Sequence, residues 1–111
     1  MEKKSINSRE KGKRGEREAV NFLTTLGWMA KRGQQYAGGT DSPDVIHDIP
    51  GIHLEVKRVE RLNLGAAMAQ ARRDAGPKTP AVMHRRNGED WLVTVPAEVF
   101  FNLVRQNVED L

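Results

Sequence analysis

Ser42-Pro43-Asp44-Val45-Ile46-His47-Asp48-Ile49-Pro50-Gly51-Ile52-His53-Leu54-Glu55-Val56-Lys57 is the stretch on which the fold turns. It holds two apolar-rich strand candidates, Asp44 to Asp48 and Ile52 to Val59, around the break Ile49-Pro50-Gly51. Their closeness predicts an antiparallel, hairpin-like pair. Side chains alternate along a strand, so Ile52, Leu54 and Val56 share one face and His53, Glu55 and Lys57 the other. The first set suits a core. A Glu and a Lys on the second, with Asp44 on the neighbouring strand, are an odd choice for one.

Upstream, the pattern predicts a helix from a Ser8 cap to Gly27. Ala19, Phe22, Leu23 and Leu26 recur at helical spacing. Glu16 lies three residues before Ala19 and extends that stripe, where a carboxylate needs an ion or a partner. Gly12 and Gly15 weaken the early turns by up to about 1 kcal/mol each. Two readings stand for them: close approach of another backbone or of DNA, or a frayed helix start. Trp28 to Gln35 is a weak strand candidate, and Tyr36 to Pro43 reads as a loop.

Downstream, Asn63 to Ala75 reads as a helix with Leu64, Ala67, Met68 and Ala71 in its stripe, stopped by Gly76-Pro77. Its small residues predict close packing on a sheet. Pro80 to Arg85 reads as a buried strand, Asn87-Gly88 as a turn and Trp91 to Val95 as the returning strand. Arg85 and Arg86 read as a solvated hairpin tip. Pro96 opens a last helix carrying Val99, Phe100, Leu103 and Val104, with the tail frayed from Gln106. The expected order is α-β-β-β-α-β-β-α, an α/β domain with a mixed sheet flanked by helices. Residues 1–8 are expected to be a basic flexible tail, 9–106 the domain and 107–111 a frayed C-terminus.

The 111 residues suit one domain and not two. Hydrophobic residues make up 38% and charged residues 30%, so the chain is polar but not of disordered class. The net charge is +3, yet residues 2–17 alone carry +4. That segment is either a solvated tail or a contact for backbone phosphates. Basic candidates for DNA contact are Lys11, Lys13, Arg14, Arg17, Arg32, Arg58, Arg72 and Arg73. The absence of cysteine excludes disulfides and thiolate metal sites. No signal peptide or membrane span is legible, which predicts a soluble, cytoplasmic protein.

Phosphodiester hydrolysis is the chemistry that this set of residues suits. It needs a metal to polarise the phosphate and lower the pKa of a water, and Mg²⁺ wants hard oxygen ligands. Asp44 and Glu55 offer two carboxylates, Glu16 a third, and the Val56 carbonyl a fourth oxygen. Lys57 could orient the attacking water and stabilise charge on the phosphate. The bland alternative is three surface carboxylates and a salt-bridged lysine, and their joint placement argues against it. His47, His53 and His84 are not spaced as a zinc cluster, although His53 shares a face with Glu55. Trp28 and Trp91 read as core or interface residues.

Pro43-Asp44, ten intervening residues and Glu55-Val56-Lys57 resemble the PD-(D/E)xK nuclease motif. Gly12 to Arg17 resembles the first-helix signature of archaeal-type Holliday junction resolvases. The resemblance implies a restriction-endonuclease-like core. It assigns Glu16, Asp44, Glu55 and Lys57 to the site, with a hydroxyl from Thr40 or Ser42 and a polar partner at Gln70. It also implies Mg²⁺, with Mn²⁺ as substitute, and a symmetric homodimer that nicks a four-way DNA junction twice. Trp91, Phe100, Phe101 and Leu103 then read as dimer surface or as ordinary core. Such a compact domain would suit a phage-encoded protein. Other nucleases of the superfamily and a non-catalytic DNA-binding module are the alternatives.

Overall fold

The computed structural model describes residues 3–33 and 45–109, with side chains from Gly12 onward and up to Val108. Thr40, Ser42 and Asp44, and the side chain of Lys11, lie outside the described residues.

Helix α1 runs from Lys3 to Thr25. It begins five positions before the expected Ser8 cap. Its end follows the expectation. Gly27 takes φ +98°, its N–H donates to Thr24 O at 3.0 Å and the Trp28 N–H to Leu23 O at 3.1 Å. This is a Schellman ending, which a left-handed glycine makes possible. Ala19 and Leu23 are buried, whereas Phe22 is partly and Leu26 largely exposed.

Strands β1 (Ala30–Arg32) and β2 (Val45–His47) form an antiparallel ladder. The expected pairing of β2 with the next strand, β3 (Ile52–Arg58), does not occur. Asp48 N–H donates to Met29 O, and Asp48 Oδ1 accepts from Met29 N, which extends the β1–β2 ladder. Ile49 N–H donates to His47 Nδ1 at 3.0 Å, and Gly51 O accepts from Thr79 N at 2.8 Å. The turn thus hands the chain from one sheet to another.

In that second sheet β3 pairs in parallel with β4 (Thr79–Arg85), which pairs antiparallel with β5 (Leu92–Thr94). The result is a mixed central sheet flanked by helices, in the expected order of elements. Helix α2 (Leu64–Ala75) makes the parallel crossover between β3 and β4. Asn63 caps it, its side chain accepting from Ala66 N at 3.0 Å. Ala67, Ala71 and Ala75 form its buried stripe, so the expected close packing of small residues holds.

The alternation of β3 and β4 splits the core in two. Leu54, Val56, Ala81 and Met83 pack with Ala19 and Leu23 of α1 and with Val45. Val82 packs on the other side with Ala67 and Ala71 of α2. Glu55 lies opposite Val82 in the ladder, on this α2 side. Trp91 packs against the first cluster, its ring 6.5 Å from that of Phe22.

Helix α3 runs from Ala97 to Glu109, past the expected fraying at Gln106. Pro96 O accepts the first helical bonds from Val99 and Phe100. Phe100, Phe101, Leu103, Val104 and Val108 are all exposed. Ordinary core packing therefore does not account for them in the single chain.

Candidate metal and nuclease site

β3 positions the centre of the site. Its residues His53, Glu55 and Lys57 alternate with the core residues Leu54 and Val56. Helix α2 returns antiparallel to β3 and offers Gln70 and Asp74. Residues four apart share one side of a helix. The Lys57 ammonium donates to Gln70 Oε1 at 3.1 Å. At the other end, the ligand atoms of His53, Glu55 and Asp74 all lie within 4.8 Å of one another. His53 Nε2 is 3.2 Å from Glu55 Oε1. Glu55 is the only buried charged residue among those described.

A buried carboxylate beside an imidazole and a second carboxylate is a donor set that fits a divalent cation. Burying charge is costly unless it is paired or bound to metal, and a cation among these groups would offset that cost for Glu55. A metal there would be held by His53, Glu55 and Asp74.

Glu16 lies on α1, the helix that packs against the Leu54 and Val56 face of β3. Its Oε1 accepts from Arg32 Nε at 3.0 Å, with its side chain 15% exposed. A cleft of about 690 Å³ opens beside it, lined by Gly12, Arg14, Gly15, Glu16, Val56 and Lys57 among others. This cleft brings Glu16, Val56 and Lys57 of the expected set to one place, while Glu55 joins His53 and Asp74.

Of the two readings open in the sequence, close approach of another backbone holds at Gly15, and neither glycine sits at a helix start. A Cβ on Gly15 would sit 2.5 Å from Arg58 Cβ, so Gly15 permits the close approach of α1 to β3. Gly12 meets nothing within 4 Å.

The basic candidates divide. Lys13, Arg14 and Arg17 are exposed on α1, and Arg72 and Arg73 on the last turn of α2. Arg32 is tied to Glu16. Arg58 donates to Glu18 at 2.8 Å and to Asn87 at 2.9 Å, and it pairs with Glu60. Glu18 also accepts from Arg85 at 3.1 Å. Arg85 is therefore bound to α1 and not part of a free hairpin tip, whereas Arg86 is exposed and pairs with Glu89, which raises its pKa further.

Two histidines away from the centre have lowered pKa values. Burial lowers that of His84, whose Nε2 lies 2.9 Å from Thr94 Oγ1. Burial, and then the charge of Lys78, lower that of His47 against an opposing effect of Asp48.

Sequence reading missed Asp74. Its signal was the four-residue spacing from Gln70, which places both on the side of α2 that meets β3. It also missed the shared use of Glu18 by Arg58 and Arg85, which joins residues far apart in the chain and leaves no local pattern.

No protein-family model matches the chain, and no curated protein matches it. Among solved structures it resembles Hjc, a Holliday junction resolvase from the archaeal hyperthermophile Archaeoglobus fulgidus. The TM-score is 0.54 and the identity 19%, over 74% of this chain and 74% of that one. At that identity the likeness is one of architecture. The chain thus shares the α/β architecture of that structure, and within it His53, Glu55 and Asp74 form a cluster suited to a divalent metal.

Proposed function

We propose that the protein is a divalent-metal-dependent endodeoxyribonuclease that acts on branched DNA, with the four-way junction as its preferred substrate. The observation that carries this reading is the buried Glu55 on one strand face with a Gln70-held Lys57, beside a cleft lined by Glu16. A bound divalent ion supplies phosphate polarisation and a more acidic water. Asp44 and Glu55 are the proposed carboxylate ligands, with Glu16 and the Val56 carbonyl completing the oxygen set, and Mg²⁺ or Mn²⁺ as the ion. Either Thr40 or Ser42 adds a hydroxyl from the preceding loop.

Lys57 stabilises the charge that develops on the phosphate, and Gln70 fixes the direction of its ammonium. Attack in line by water leaves a 3′-hydroxyl and a 5′-phosphate. Exposed Lys13, Arg14, Arg17, Arg72 and Arg73 contact the DNA backbone, a role that needs no base reading.

Paired nicks need two sites related by a two-fold axis. The exposed apolar residues of α3 support a homodimer.

The test is a cleavage panel with purified protein and Mg²⁺ or Mn²⁺, comparing four-way junctions, flaps, mismatched duplex and linear duplex. Symmetric paired nicks on the junction, lost in Asp44→Asn, support the proposal. Junction cleavage undiminished in Asp44→Asn overturns the catalytic assignment. Binding of junctions without any cutting points instead to a DNA-binding module on the same fold.

A further inference from the structure

We infer that His53, Glu55 and Asp74 form a cation position of their own, distinct from the oxygen set of the nuclease motif and sharing only Glu55 with it. The position takes ions that accept nitrogen ligands, such as Mn²⁺, Co²⁺ or Zn²⁺, in preference to Mg²⁺. This inference goes beyond the nuclease reading and does not depend on it.

The geometry places the group on the side of Glu55 away from Lys57. His53 precedes Glu55 by two strand residues, about 7 Å back along the strand. Lys57 follows it by the same distance in the other direction. Helix α2 meets these two ends with different residues. Gln70 receives the Lys57 ammonium at 3.1 Å, and Asp74, one turn later, joins His53 and Glu55. One end is built around a retained ammonium. The other gathers three groups that can each donate an electron pair.

The distances suit an ion. Two ligand atoms each about 2.0–2.2 Å from a divalent metal stand about 3 Å apart when they are neighbours in its shell. His53 Nε2 and Glu55 Oε1 are 3.2 Å apart. Their side chains are 13% and 6% exposed, so both ligands are held by packing. Asp74 is exposed and free to close the remaining gap within the 4.8 Å span of the cluster.

The ligand types set the preference. Imidazole suits Zn²⁺ and other first-row transition ions, with affinity generally rising from Mn²⁺ through Co²⁺. Mg²⁺ demands oxygen ligands in near-ideal octahedral array and gives up its waters reluctantly.

The test uses the full chain without DNA. The chain has three histidines, so the imidazole nitrogens can be followed singly by NMR as Zn²⁺ is added, with His84 as an internal reference. The expected result is a saturable change at the His53 nitrogen with His84 unmoved. In parallel, Co²⁺ binding is followed by its visible absorption. His53→Gln and Asp74→Asn should each weaken it by roughly tenfold or more, His84→Gln should leave it within about twofold, and a tenfold excess of Mg²⁺ over Co²⁺ should not displace it.

A His53 nitrogen that Zn²⁺ leaves unmoved overturns the inference. So does Co²⁺ binding that is indifferent to His53 and Asp74. Circular dichroism melts establish that each variant folds, and the wild-type NMR titration decides alone if one does not. A chain that binds Zn²⁺ through His53 yet cuts no DNA keeps this position and overturns the nuclease reading. A chain that cuts junctions while its His53 stays unmoved by Zn²⁺ does the reverse.

Discussion

The Lys57 ammonium donates to Gln70 Oε1 at 3.1 Å, so a strand lysine and a helix amide thirteen positions apart fix each other's direction. Under the proposed function the bond makes Gln70 a positioning residue for Lys57. Gln70→Ala is expected to lower the single-turnover rate of junction cleavage about tenfold with little change in DNA affinity. Lys57→Met should cost roughly 10²–10³, the usual loss for a group that stabilises transition-state charge. Equal losses in the two variants would place Gln70 in direct contact with the substrate, against the present assignment.

The two glycines of α1 should respond in opposite directions to alanine. Gly15→Ala forces a Cβ against the side chain of Arg58, 2.5 Å from its Cβ. Overpacking of this kind costs about 1–3 kcal/mol. Gly12→Ala enters open space inside a helix and should stabilise by up to about 1 kcal/mol. Thermal melts of the two variants check this, at several degrees per kcal/mol for a domain of this size. A Gly15→Ala protein that melts at or above the wild type would contradict the close contact of α1 with β3.

Helix α3 supplies the assembly prediction. Phe100 is 53% and Leu103 51% exposed on the same side of the helix. The wild type should sediment as a dimer, and Phe100→Glu with Leu103→Glu as a folded monomer. The monomer should then nick junctions singly, without the paired timing of the dimer. A wild type that sediments as a monomer across micromolar concentrations would sink the two-fold reading.

Acid should destabilise the fold through His47 and His84. Both have pKa values below the usual 6.5. In His84 burial is the cause. In His47 burial leads, and its Nδ1 accepts the Ile49 N–H, which requires that nitrogen unprotonated. Below about pH 6.5 the unfolded chain binds more protons than the folded one, so stability there rises with pH. The contribution is intact above 6.5 and is lost as the pH falls through that value toward the lowered ones. Melting temperature should therefore drop between about pH 7.5 and 5. Replacing both histidines with glutamine should flatten the drop, and an unchanged slope in that variant would refute the assignment.

The elements were legible wherever local chemistry decides them. Asn63, Gly76-Pro77 and Gly27 ended their helices where the sequence placed them. The alternation of Leu54 and Val56 with Glu55 and Lys57 gave the two sides of β3 correctly. The pairing of β4 with β5 across the Asn87-Gly88 turn was legible, but the partners of β2 and β3 were not. A short connection between β2 and β3 suggests a hairpin, but Asp48 bonds back to Met29 and Gly51 forward to Thr79. Those bonds join residues distant in sequence, and no local pattern encodes them. The same holds for Asp74, whose meaning depends on how closely an alanine-lined helix lies against β3. Gln70 was placed through the family resemblance, and its contact with Lys57 follows from the same packing.

The parallel crossover from β3 through α2 to β4 has a consequence for how the chain acquires its chemistry. His53, Glu55, Lys57, Gln70 and Asp74 all belong to that one contiguous passage, whereas Glu16 comes from α1, some forty positions earlier. Closing a short loop costs less entropy than closing a long one, though the difference grows slowly. The passage is thus a self-contained cassette, and α1 is a wall added to it. Substitutions in the wall, Glu16 apart, can reshape the cleft while His53, Glu55 and Asp74 keep their places on the cassette.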